Sequence, residues 1–289
     1  MSSSPEVESG DAPVAWTGGR LSERVRCILA PNPGPMTLDG TNTYVLAEPG
    51  SSAAVVVDPG PDDAVHLDRV MDDLGAHGQH AAVVLLTHGH PDHAEGAATF
   101  ARRAGCGVRA VDPAHRSGDE GLVAGDRIGV GGLVVEVMDT PGHTADSASL
   151  VLRDEPALLT GDTVLGRGTT VVAHPDGRLG DYLDSLERID RLASRQPQMR
   201  LLPGHGPAGA ALVQVVGLYR AHRAARLQQV LDAVDAGAVD ADAVVAHVYA
   251  DVDRTLWPAA RLSVLAQLDY LVGASRLARA GGRLSVRGA

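Results

Sequence analysis

The sequence predicts an α/β fold in which a large unit of strands and helices is followed by a smaller, mainly helical one. Short apolar runs recur along the first two thirds, each emptying into a glycine-containing turn. After PGHGP at 203–207 the turns stop, and apolar residues recur at intervals of three and four instead. At 289 residues with 44% hydrophobic content, the chain has room for one large domain plus a small one and is too apolar to be disordered as a whole.

The opening stretch, MSSSPEVESGDAP, is acidic and polar and reads as a flexible N-terminal tail over residues 1–18. It has neither the basic start nor the apolar core of a signal peptide, and no later stretch is apolar for long enough to span a bilayer. Two cysteines, Cys27 and Cys106, suit a reducing compartment, so a cytoplasmic protein with no membrane partner is expected. Cys106 reads as a small core residue.

Residues 81 to 96, AAVVLLTHGHPDHAEG, are the most informative. Ala81 to Leu86 fits a strand buried on both faces, which Gly89 and Pro91 stop. His88 and His90 stand two apart, so on extended backbone both rings point to one side. Asp92 and His93 lie where the chain turns into a helix, about 93 to 104. Imidazoles and a carboxylate converging from two directions suit a borderline cation such as zinc. The pattern recurs: Leu133 to Met138 leads to His143, Ala157 to Leu159 to Asp162, and Met199 to Leu202 to His205. Any one of these is an ordinary turn; their repetition points to a metal centre.

Beyond His205, Leu212, Val215, Val216, Tyr219, Leu227, Val230, Leu231 and Val234 mark a helix to about Gly237. A second helix is expected near 241 to 249. Pro258 opens a third, whose buried face reads Leu262, Leu265, Leu268, Leu271 and Val272. SRLARAGGRLSVRG closes the chain as two short strands around Gly281-Gly282.

THGHPDH, PGHT, GD and PGHG, in this order, resemble the metal-ligand set of the metallo-β-lactamase superfamily over about residues 20 to 210. The resemblance implies an αββα sandwich, with the hydrolase domain at 19–210 and a small winged-helix-like domain at 211–289. It implies two zinc ions per chain: His88, His90 and His143 on the first, Asp92, His93 and His205 on the second, with Asp162 bridging. A hydroxide held between the two metals would be the nucleophile, and Asp92 would orient it and take its proton.

MTLDGTNTYVL, VVVDPGP, LTGDTVLGRGTT and DYLDSLERI narrow the resemblance to the branch containing β-lactamase-like protein 2, associated with endonucleolytic cleavage of single-stranded RNA. VVAHPDGRLG at 171–180 departs from that branch. RNA is therefore the first expected substrate, helped by Arg276, Arg279, Arg283 and Arg287 at the C-terminal end. A net charge of −11 and a total of one Phe, two Trp and five Tyr argue against it. The alternative is a glyoxalase II-like hydrolase of a small ester or thioester. β-Lactamase activity and a metal-stabilised nucleic-acid-binding module rank lower. The C-terminal unit either binds nucleic acid or serves as a helical cap and homodimer contact. All 25 basic residues are arginine, so any side-chain cation meeting an anionic substrate, histidine apart, is a guanidinium.

Four further residues are candidates for substrate binding. Asn42 either donates to a substrate oxygen or ties down a neighbouring loop; Thr169 and Thr170 shape the pocket; His174 is either the leaving-group acid or a solvent-facing loop residue. The remaining histidines, His66 among them, read as surface groups.

Overall fold

A computed structural model describes residues 15–286. Residues 1–14 of the expected tail lie outside it. From Trp16 onward the chain is docked rather than loose: the indole packs on the core and its Nε1 donates to Asn42 Oδ1 at 2.7 Å.

The first sheet runs β1 (Gly18–Arg20), β2 (Val25–Leu29), β3 (Asn42–Leu46), β4 (Ala53–Val57), β5 (His80–Leu85) and β6 (Gly107–Arg109) in spatial order, antiparallel as far as β4 and parallel from there. The second holds β7 (Arg127–Val130), β8 (Leu133–Asp139), β9 (Ala148–Leu152), β10 (Ala157–Gly161) and β11 (Arg200–Pro203), with only β10 and β11 parallel. Strand alternation explains the layering. Tyr44 and Leu46, Val55 and Val57, and Leu150 and Leu152 point between the sheets. Their neighbours Val45, Ala54 and Val56 face outward onto α1 (Ala64–Ala76) and α3 (Ala97–Ala104), packing with Leu67, Val70 and Phe100. On the far side Val151 and Leu158 meet Tyr182, Leu186 and Ile189 of α4 (Leu179–Arg195). Both faces of both sheets are covered, which gives the four-layer αββα sandwich.

Two local expectations need correction. β5 is not buried throughout: Ala82 is exposed because the β4–β5 register passes from Ala54↔Ala81 to Val55↔Val83, leaving Ala82 as an unpaired bulge residue. The helix expected over 93–104 is two, α2 (Pro91–Ala94) and α3. Gly96 separates them, tied by its N–H to Gly60 O at 2.9 Å, and a Cβ there would sit 2.7 Å from Pro61 O.

The C-terminal unit consists of α5 (Leu212–Asp235), α6 (Ala241–Val248), α7 (Trp257–Gly273) and the hairpin β12 (Leu277–Ala280) and β13 (Arg283–Val286). Helix α5 serves two cores. Leu212, Val216 and Tyr219 pack beside α4, while Val230, Leu231 and Val234 pack with α6, α7 and the hairpin. By packing, the boundary expected at 210/211 therefore falls inside α5. Leu262 is exposed, contrary to expectation, because α7 is wedged between α4 and the C-terminal core and turns Ala266 to one and Val264, Leu268 and Leu271 to the other.

Candidate metal centre

The strand-end loops meet at one edge of the sandwich. His88 and His90 follow β5, Asp92 and His93 sit on α2, His143 follows β8, Asp162 follows β10, and His205 follows β11. His88 Nε2 and His143 Nε2 lie 3.0 and 3.1 Å from His90 Nδ1. His93 Nε2 is 3.1 Å from His205 Nε2, which is 3.1 Å from Asp92 Oδ2. Asp162 stands between the two groups, with Oδ1 3.4 Å from His93 Nε2 and Oδ2 3.3 Å from His205 Nε2 and 3.8 Å from His143 Nε2. All seven residues expected to be ligands are thus brought together.

The outer ring nitrogens show which way the lone pairs face. His143 Nδ1 contacts Val171 O at 2.8 Å and His205 Nδ1 contacts Gly40 O at 3.1 Å; a carbonyl only accepts, so each Nδ1 carries the proton. His93 Nδ1 donates to Asp58 Oδ2 at 2.9 Å. Thr87 Oγ1 gives its hydrogen to the same carboxylate at 2.6 Å and is left to accept from His88 Nδ1 at 3.1 Å. Four histidines therefore turn Nε2 inward, the nitrogen left to bind a metal once the ring is neutral.

The donor set fits zinc. Bonds of 2.0–2.1 Å in tetrahedral geometry place ligand atoms about 3.3 Å apart, close to the spacings above. Asp162 Oδ1 is buried without a hydrogen-bond partner, which is costly for a carboxylate unless a cation meets it. Burial alone would raise the Asp162 pKa, yet His93 and His205 hold it well below the usual range; burial lowers His205, yet Asp162 and Asp92 outweigh it and raise it to about 9. The centre thus attracts positive charge strongly. His88 and His143 are pushed down by burial and by neighbouring imidazoles, so they stay neutral. Space is equally specified: a Cβ on Gly204 would lie 2.4 Å from Asp162 Oδ1 and 2.7 Å from His93 Cε1.

The remaining candidates fall elsewhere. Asn42 is fully buried, and its Nδ2 donates to Pro203 O and Gly206 O, both at 2.9 Å, so it clamps the turn that presents His205 and has no donor left for a substrate. Thr170 Oγ1 donates to Asp162 O, fixing the backbone of the central carboxylate, whereas Thr169 is exposed beside a cavity described below. His174 is not an acid poised at the centre: it pairs with Asp269 of α7 at 3.2 Å. His66 is not a surface group but fully buried, with Nε2 2.8 Å from Thr43 Oγ1. Sequence reasoning missed Asp58, although VVVDPGP has the same form as the ligand turns, an apolar run ending in an acid and glycine. Its φ of +50° is one that Asp tolerates better than most residues.

A family model described as the metallo-beta-lactamase superfamily matches residues 36–205, and one described as the beta-lactamase associated winged helix domain matches residues 241–282. A beta-lactamase-like protein 2 homolog of Caenorhabditis elegans is 34% identical over 219 residues, covering 73% of this chain and 71% of that protein. An atrochrysone carboxyl ACP thioesterase of Aspergillus fumigatus is 37% identical over 193 residues, 64% of this chain and 57% of its own length. Among solved structures, a beta-lactamase domain protein from Burkholderia ambifaria superposes with a TM-score of 0.80 at 22% identity, covering 96% of both chains. Layered fold, strand-end histidines and both matched models converge, and the chain belongs to the metallo-beta-lactamase superfamily, with a winged-helix domain at its C-terminal end.

Proposed function

We propose that this protein is a hydrolase using two divalent ions, best matched by zinc, to cleave an ester or thioester bond of a small acyl substrate. The observation that carries the reading is the pair of inward-facing triads, His88/His90/His143 and Asp92/His93/His205, with Asp162 reaching both. Bound there, such ions supply charge to stabilise a developing oxyanion and an acidified water as nucleophile. The residues do the positioning. Asp58 and the carbonyls of Val171 and Gly40 fix the imidazoles, and burial of His88, His93 and His205 keeps bulk water from competing. Asp92, whose side chain is 28% exposed and whose carboxyl is held below its usual range despite burial by the hydrogen bond from His205, is the ionised group that can take the proton of the attacking water. In the reaction the water oxygen bonds to the carbonyl carbon, the bond to sulfur or oxygen breaks, and the leaving thiol or alcohol gains a proton.

The acyl substrate is preferred to RNA because all eight aromatic rings are buried or half-buried, so none forms an exposed platform for bases. The thioesterase relative supports the same choice. Single-stranded RNA is the second reading, favoured by the winged-helix domain and the exposed Arg276 and Arg283 of its hairpin. Arg279 pairs with Asp269 at 3.4 Å, and Arg287 lies outside the described residues. The test is metal analysis together with a panel of a glutathione thioester, S-butyryl-N-acetylcysteamine, single-stranded RNA and a chromogenic β-lactam, each against an Asp162→Ala control. Two metals per chain and thioester turnover absent from the control are expected; cleavage of RNA alone would refute the acyl reading.

A further inference from the structure

A cavity of about 270 Å³ lies between the two domains, one hydrogen bond away from the metal centre. Thr170 and Val171 line it, and they are the residues whose hydroxyl and carbonyl hold Asp162 and His143. Across the cavity, α5 presents the adjacent His222 and Arg223 and, one turn further on, Arg226.

This wall lacks a carboxylate counter-ion, although Arg223 stacks over the Tyr182 ring at 4.8 Å. Among the described residues no carboxylate lies within 4.0 Å of Arg223 or Arg226, in a chain of net charge −11. Arg223 is 5% exposed; its Nη2 donates to Thr170 O at 2.5 Å, and its Nε is buried with no partner. His222 Nδ1 is also buried without a partner. Arg226 stacks over Tyr249 at 4.5 Å and bonds only neutral groups, Gln229 Oε1 and Val248 O. A buried guanidinium with an unmet donor and no counter-ion is costly, and an anion entering the cavity would relieve that cost. Met36, Val252 and Leu256, which line the same cavity, are exposed by 55%, 37% and 44%. Apolar side chains left open to water around an anion site suit a ligand whose body is apolar.

We infer that this cavity receives an anionic group of the acyl substrate, a carboxylate or a phosphate, with Arg223 and Arg226 as its binding residues and an apolar acyl or thiol portion against Met36, Val252 and Leu256. The inference rests on the hydrolase reading for its placement beside the scissile bond, and on the cavity itself for its charge. It makes the substrate class an anionic thioester or ester.

The test compares three thioesters with the zinc-loaded protein: neutral S-butyryl-N-acetylcysteamine, S-glutaryl-N-acetylcysteamine with a carboxylate on the acyl part, and butyryl-coenzyme A with phosphates on the thiol part. At least one anionic thioester is expected to exceed the neutral one tenfold or more in kcat/KM, and which one does so identifies the source of the anion. Arg226→Gln should reduce that preference at least tenfold, and so should Arg223→Lys, which keeps the charge but loses the planar fork. Arg102→Gln, on the exposed side of α3, should keep it. Calorimetric titration with glutarate and with inorganic phosphate gives a readout independent of turnover: at least one should bind the parent and fail to bind Arg226→Gln. Equal turnover of neutral and anionic thioesters, or a preference surviving in both arginine variants, would overturn the inference. If no thioester is cleaved above the Asp162→Ala background, the hydrolase reading fails instead, and the titrations decide the anion site alone.

Discussion

Asp58→Asn is nearly isosteric, yet the structure makes it a test of how the second triad is oriented. Asp58 Oδ1 accepts from Thr87 N at 2.8 Å, and Oδ2 accepts from both Thr87 Oγ1 and His93 Nδ1. Asparagine has one acceptor oxygen, so one side must become a donor. If the amide nitrogen takes the Oδ2 position, it faces His93 Nδ1 and stabilises the tautomer with the hydrogen on Nε2, where a metal should bind. If it takes the Oδ1 position, the buried Thr87 N–H loses its acceptor, at a cost of about 1–3 kcal/mol. Either way the metal-binding tautomer becomes less favourable by about 1–3 kcal/mol, roughly a 10- to 100-fold loss of affinity for one metal equivalent, the size usual for such supporting contacts. A competition titration of zinc against a chromophoric chelator would resolve two equivalents in the parent and a selectively weakened one in Asp58→Asn. Two equivalents bound with parental affinity would refute the argument that Asp58 sets the His93 tautomer.

Two further outcomes follow from other positions. His66 is buried and its pKa is lowered by burial to about 4, below the value of about 6.5 in an unfolded chain, so unfolding takes up a proton at acidic pH. Its contribution is complete above pH 6.5 and is lost as pH falls towards 4, by up to about 3 kcal/mol; the difference in thermal stability between the parent and His66→Gln should therefore shrink from pH 7.5 to pH 4.5, and a constant difference would contradict it. Gly204→Ala should give a folded protein with impaired metal uptake, because the added methyl meets Asp162 Oδ1 and His93 Cε1 rather than the core; circular dichroism beside metal analysis reads the two effects separately, and full metal content would show that the centre relaxes around it.

The ligand turns were readable because each is a local pattern, an apolar strand, a glycine and one donor residue, and the fold needs only to bring strand ends to one edge. Thr87 and Asp58 show where that reading stops: they stand outside the two triads, and their importance lies in contacts made across the sheet between β4 and the end of β5. Burial of His66 has no local sign either, since it depends on Thr43 of β3 reaching helix α1. Of the two roles open to Asn42 from the sequence, the structure shows the tie to a loop, and that loop is not a neighbour in the chain but begins 161 positions away, at Pro203. The arginines of α5 were hidden for another reason. A periodic helix shows which residues face inward, whereas the lack of a counter-ion at Arg223 appears only once every neighbouring side chain is in place.

Helix α5 sets a phase between the domains. Its 24 residues rise about 36 Å as one rod, with the first turns locked beside α4 and the last in the winged-helix core. Among the described residues α5 itself is the link, with no loop to absorb a change in length. One residue inserted near Leu227 would swing the C-terminal domain about 100° around the rod and carry Tyr249 away from Arg226, while nearly four would bring it back into phase one turn further out. Chain-length variation here is therefore filtered by helical pitch, and the two walls of the cavity stay aligned through a gear rather than a tether.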